Sequence, residues 1–148
     1  MNTWICDYCS GIIERPEDGL VEWINSVDIS APGRNIRLVH GFRDGSYEKC
    51  TFDQHIEYKK DLGTIADGEL ISFLGTDGLM RLLAMVSKSE LPIPETLEMI
   101  KRLHIPDYEH ARKHFRAAVS AGVFEPDMPE NFYSHAHILA TLQYAKKS

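Results

Sequence analysis

Two cysteines, Cys6 and Cys9 in the stretch "WICDYCSG", constrain this chain more than any other feature. Cysteines two residues apart can turn both sulfurs toward one metal ion. The 148-residue chain holds only one further thiol, Cys50. A structural zinc takes four ligands, chiefly Cys and His, so Cys50 is the natural third and a histidine, or failing that an Asp, the fourth. His40 and His55 are the two near in sequence. His40 is preferred because it ends a predicted strand, and the "RDGS" turn at 43–46 leads on to "KCTF" at 49–52. A hairpin there brings His40 beside Cys50. His55 serves instead only if "TFDQH" turns sharply. The expected centre is Cys6, Cys9, His40 and Cys50. Gly11, just past the second cysteine, is expected to permit the tight turn whose amides point at the sulfurs.

Four Cys/His ligands leave no coordination position for water, so the expected zinc is structural and not catalytic. Neither HExxH nor the HxE…PCxxC deaminase pattern occurs. A thioredoxin-like redox pair calls for CxxC between a strand and a helix of a βαβ unit, and residues 10–63 lack that pattern.

No apolar run reaches the roughly 18–20 residues of a membrane span. The first residues have neither the basic start nor the apolar stretch of a secretion signal, so a cytoplasmic protein is expected. The formal net charge is −6, spread over both halves of the chain. That opposes a nonspecific grip on nucleic acid but leaves room for a local basic patch.

The texture changes near residue 64. Before it, short segments are broken by Gly, Pro and Asn, and strands are predicted around 19–26, 35–42 and 49–53. Ile36, Leu38 and His40 fall on one face of the second. Glu17, Asp18 and Glu22 read as turn and surface positions. After residue 64, four helices are predicted. Thr76 caps the first, with Leu79, Leu82, Leu83 and Val86 as its apolar face. The second starts near Pro94 and buries Leu97, Ile100 and Leu103. Asp107 caps the third, which carries Tyr108, Ala111, Phe115, Ala118 and Val119 inward and ends at Gly122. The fourth uses Phe132, Ala136, Leu139 and Gln143, with Ile138 and Leu142 beside them. The fold class is therefore α+β. A zinc-ribbon-like β part, 1–63, too poor in core to hold itself without metal, precedes a bundle of about four helices, 64–148.

His110 and His114 stand one helical turn apart, and His135 and His137 form a second pair. Two such pairs could bind a second metal, but His110 and His114 lie away from the Tyr108 and Phe115 stripe, where a solvated face is the simpler reading. The hairpin at 94–122 resembles a helix-turn-helix module in pattern, with Arg112, Lys113 and Arg116 on the outer face of helix 107–121. No phosphate loop, nucleophile elbow or GxGxxG is present. The expected function is that of a non-enzymatic zinc-binding regulator or adaptor with a macromolecular partner. That partner is DNA, through helix 107–121, or alternatively a basic protein of the kind met by phage or plasmid accessory modules.

Overall fold

Leu20, Val21, Trp23 and Ile24 give the chain its central strand, because aromatic and branched side chains fit a pleated surface covered on both faces. In a computed structural model, which describes residues 2–28, 30–41, 50–126 and 132–148, this strand is β3, Gly19–Asn25. It is the middle of a three-stranded antiparallel sheet. On one side lies β4, Arg34–His40, with Leu20 opposite Val39 and Glu22 opposite Arg37. On the other lies β5, Thr64–Glu69, with Trp23 opposite Ala66. A separate two-stranded ladder pairs β1, Trp4–Ile5, with β2, Ile12–Ile13, and the CxxC turn lies between them.

Six helices complete the described chain. They are α1, Gln54–Asp61; α2, Gly75–Lys88; α3, Ile93–His104; α4, Tyr108–Ala111; α5, Phe115–Ser120; and α6, His135–Lys147. Asp53 caps α1 by accepting from the amides of His55 and Ile56, and Ser134 caps α6 through His137. Among the described residues, no helix is long and apolar enough to cross a membrane.

The chain divides into two compact units, Met1–His104 and Ile105–Ser148. In the first, one core joins the sheet to the helices that follow it. Trp4, Cys6 and Ile13 belong to the same buried cluster as Val21, Leu38, Phe73, Leu82, Met85, Met99 and Leu103. Trp23 meets the Phe73 ring edge-on at 6.3 Å. The second unit has its own aromatic core, in which Phe115 stacks on Tyr133 at 3.7 Å and Phe124 lies flat on His137 at 4.3 Å.

Several expectations are corrected here. The change of texture near residue 64 coincides with the start of β5, a strand of the sheet, and the compact units divide after His104. That strand, "TIADGE", is too polar and glycine-bearing to stand out in the sequence. The four expected helices are divided between the two units. Two share the core of the sheet, so the β part is not poor in core, and the rest lie in the second unit. The strand expected over 49–53 is absent from its described residues, 50–53, and the "RDGS" turn lies outside the described residues. Helix 107–121 is two short helices, α4 and α5, separated by turns at 112–114. Asp107 makes no side-chain cap, whereas Gly122 does end α5, with φ of 77°. Leu74 and not Thr76 precedes α2 at its cap position. The helix faces are also turned. Gly78, Leu82 and Met85 are buried on α2 and Thr96, Met99, Arg102 and Leu103 on α3, while Leu83 and Leu97 are exposed. On α6 the buried residues are Ile138 and Thr141, with Leu139 and, ahead of the helix, Phe132 exposed.

Candidate metal centre

The CxxC turn is tightened by its own backbone. The Cys6 amide donates to the Gly11 carbonyl at 2.9 Å, and the Ser10 amide donates back to the Cys6 carbonyl at 3.0 Å. The left-handed residue of this turn is Ser10, with φ of 64°, not Gly11 as expected. Gly11 is needed for space instead. A Cβ there would stand 3.2 Å from Cys9 Sγ and 3.5 Å from His40 Cε1. The amides do point at sulfur, Cys9 N–H toward Cys6 Sγ at 3.5 Å and Gly11 N–H toward Cys9 Sγ at 3.4 Å.

His40 ends β4, and its ring enters this turn. Nδ1 lies 3.4 Å from Cys9 Sγ and 3.9 Å from Cys50 Sγ. Nε2 lies 3.1 Å from the Ile12 carbonyl, which can only accept, so Nε2 carries the proton and Nδ1 presents its lone pair to the sulfurs. A carbonyl behind a ligating histidine is the usual outer support of such a ring. The ligand atoms of Cys6, Cys9, His40 and Cys50 all lie within 4.8 Å of one another, and the group could hold a metal ion. Tetrahedral zinc with ordinary bond lengths wants S···N and S···S edges of about 3.5–3.8 Å, so no separation would need to close by more than roughly 1 Å. Among the described residues it is the only group of three or more such side chains with this geometry. His55 is exposed on α1 and takes no part in it.

All three cysteines are free thiols, Cys6 and Cys50 buried and Cys9 exposed. Burial, and then the neighbouring Cys6 and Cys9, push the Cys50 thiol up to about 12. Burial also opposes ionising Cys9, but the Gly11 amide and the adjacent thiols outweigh it and bring this group below its ordinary 9.0. Thiolates at such distances repel one another, a repulsion that a bound cation would offset.

The remaining expected site residues belong to the second unit. Arg112 is half-buried in the turn after α4, Lys113 is exposed beside it, and Arg116 is exposed on α5. The pattern that placed all three on one continuous helix does not survive the break. Residues not singled out by spacing lie close around the four clustered side chains. Glu22, expected at the surface, is 1% exposed and bonded to Arg37, and Asp7 is bonded to Arg102. Glu22 and Arg37 face each other only through strand register, and Asp7 and Arg102 only through the tertiary fold, so spacing carried no signal for either pair.

No family model, curated protein or solved structure matches this chain.

Proposed function

We propose that the chain is a non-enzymatic protein whose Cys6, Cys9, His40 and Cys50 hold one structural zinc ion, and that it serves as a regulator or adaptor for a protein partner. The observation that carries the metal part is the convergence of one imidazole lone pair and three sulfurs, with the other ring nitrogen already bonded to Ile12. Soft thiolates with one imidazole suit zinc. Four protein ligands complete its coordination and leave no position for substrate, which supports a structural role. Elemental analysis of protein made with zinc available tests this. One zinc per chain is expected, and a Cys6–Cys9 disulfide without metal would refute it.

Between DNA and a protein as partner, two observations favour protein. The net charge of −6 repels phosphate, and Arg112, Lys113 and Arg116 are divided between a turn and a six-residue helix. The acidic surface suits a basic partner. A pull-down against basic proteins, run beside a duplex mobility shift, separates the two.

A further inference from the structure

Apart from His40, the candidate ligands come from two places in the chain, and each half is gripped by an arginine that the ligand spacing gives no reason to notice. Arg37 Nε donates to Glu22 at 2.7 Å, and its Nη2 donates to the Cys50 carbonyl at 2.9 Å. The same Glu22 carboxylate accepts the Phe52 amide at 3.0 and 3.2 Å, and the Arg37 guanidinium lies 3.6 Å over the Phe52 ring. Cys50 is thus held through its own carbonyl and through the amide and ring two residues on. No strand ladder does this work, because residues 50–53 form no strand.

The other half is held from α3. Arg102, whose side chain is 4% exposed, donates from Nη1 to Asp7 at 2.7 Å and from Nη2 to the Ile5 carbonyl at 3.2 Å. It therefore touches both chain neighbours of Cys6. The Asp7 carboxylate also accepts the Leu38 amide at 2.8 Å, and the Asp7 amide donates to the Leu38 carbonyl at 2.7 Å. Leu38 lies two residues before His40, so this bond set fixes the CxxC turn against the strand that carries the histidine.

We propose that these two pairs, Arg37 with Glu22 and Arg102 with Asp7, are positioning residues of the metal centre, holding Cys50 and the Cys6–Cys9 turn at near-ligating distance before metal arrives. The proposal rests on the zinc reading above. Largely buried ion pairs are poor stabilisers compared with apolar residues of the same volume, so their placement around the ligands calls for another role. Burial raises the pKa of Glu22 in spite of Arg37, which fits a carboxylate kept for its bonds at some cost. A fork that spans two acceptors needs arginine, since a lysine reaches as a single point.

The test uses the full chain and zinc competition with a chromophoric chelator. The variants are Arg37→Met, Arg102→Met, Arg37→Lys and Arg102→Lys, with Arg15→Met at an exposed pair as control. Each Met variant is expected to weaken zinc binding about 10–100-fold, the range for removing outer support from a ligand. The two effects should multiply in the double variant, since they act on different ligands. If a Met variant fails to fold, the Lys variant keeps the charge and should still bind about tenfold more weakly. Cobalt spectra give a second readout: the Arg37 variants should show weaker thiolate charge transfer, as Cys50 leaves the coordination sphere. A drop in folding stability of the metal-free protein, with zinc affinity within about twofold of wild type and an unchanged cobalt spectrum, would overturn the proposal. Wild-type chain that takes up no zinc would instead overturn the zinc reading itself.

Discussion

Arg102 on α3 donates a 2.7 Å hydrogen bond to Asp7, 95 residues earlier, in the turn that carries Cys6 and Cys9. The turn is therefore tied to a helix as well as to β4. Cys6 itself is fully buried in the core that runs on to Leu82, Met99 and Leu103. These contacts need no metal, and they set how far the effect of metal removal can spread.

Removing the metal, by chelation or by Cys6→Ser, should act locally. The β3–β4–β5 sheet keeps its shared core and should stay folded. The β1–β2 ladder and residues 50–53 are short and carry the candidate ligands, so any loss of amide protection should be confined to them and stay partial, because the Arg37–Glu22 and Arg102–Asp7 bonds remain. Hydrogen exchange with and without chelator reads this directly. A collapse of protection across β3, Gly19–Asn25, would show that the metal holds the whole unit.

Gly11→Ala should weaken zinc binding by about tenfold while leaving the fold intact. The added Cβ meets Cys9 Sγ at 3.2 Å, tighter than an ordinary contact, and pushes on a group whose position the metal requires. The adjacent Ser10 already takes the left-handed conformation, so Ser10→Gly should be tolerated and can even stabilise the turn. Titration of both variants with a competing chelator checks the contrast.

The grouping of the four side chains was legible because CxxC spacing is local and only one other thiol exists. His40 over His55 was also legible, though through a hairpin whose far strand is not seen in residues 50–53. Helix existence followed from apolar periodicity in α2 and α3. The buried faces did not, since Leu83 and Leu97 continue the apolar stripe yet stay exposed while Arg102 goes inside. Burial of that arginine depends on Asp7, a partner no periodicity can point to. The helix α1 and the strand β5 escaped notice for a related reason. Their side chains are mostly polar, and α1 is fixed by the Asp53 cap while β5 is fixed by pairing with β3.

Phe115→Ala should cost about 3–5 kcal/mol in the stability of the second unit, the range for a large aromatic removed from a core. Phe115 is 5% exposed, stacked on Tyr133 and tilted against Tyr108 at 5.7 Å. Tyrosine and aromatic near-UV signals from this unit should melt earlier, with zinc content unchanged. A melting curve that barely moves would mean that the cavity is refilled by its neighbours.

In the metal-free protein, stability should fall as pH rises from about 9 toward 12. The folded Cys50 thiol is pushed up to about 12, above its ordinary 9.0. Below pH 9 both folded and unfolded forms keep the proton and nothing changes. Above it the unfolded chain ionises first, so the advantage of the fold disappears through that window. Zinc reverses the sign, because the bound sulfurs are thiolates and acid competes for them. Denaturant melts should show stability rising with pH below about 9 only with zinc, and falling above about 9 only without it, and the same profile in both would count against metal at Cys50.

A protein partner predicts no duplex DNA binding by the wild-type chain even at low salt, where attraction to phosphate is greatest. The reason is geometric as well as electrostatic. A helix laid in the major groove offers its contacts from one continuous face. Here the run is interrupted between Ala111 and Phe115, and α5 has six residues, little more than one and a half turns. Three permanent cations, one of them half-buried, must also overcome a net charge of −6. The opposite result has a clear form. Duplex binding that weakens steeply with salt would restore the DNA reading, provided that replacing Arg112, Lys113 and Arg116 with Ala lowers the slope of log affinity by about one unit for each phosphate that is no longer neutralised. The triple variant must keep its zinc and its melting temperature for that comparison to stand. Binding unchanged in the triple variant would place the DNA-binding surface elsewhere on the chain and leave these three residues as a solvated surface.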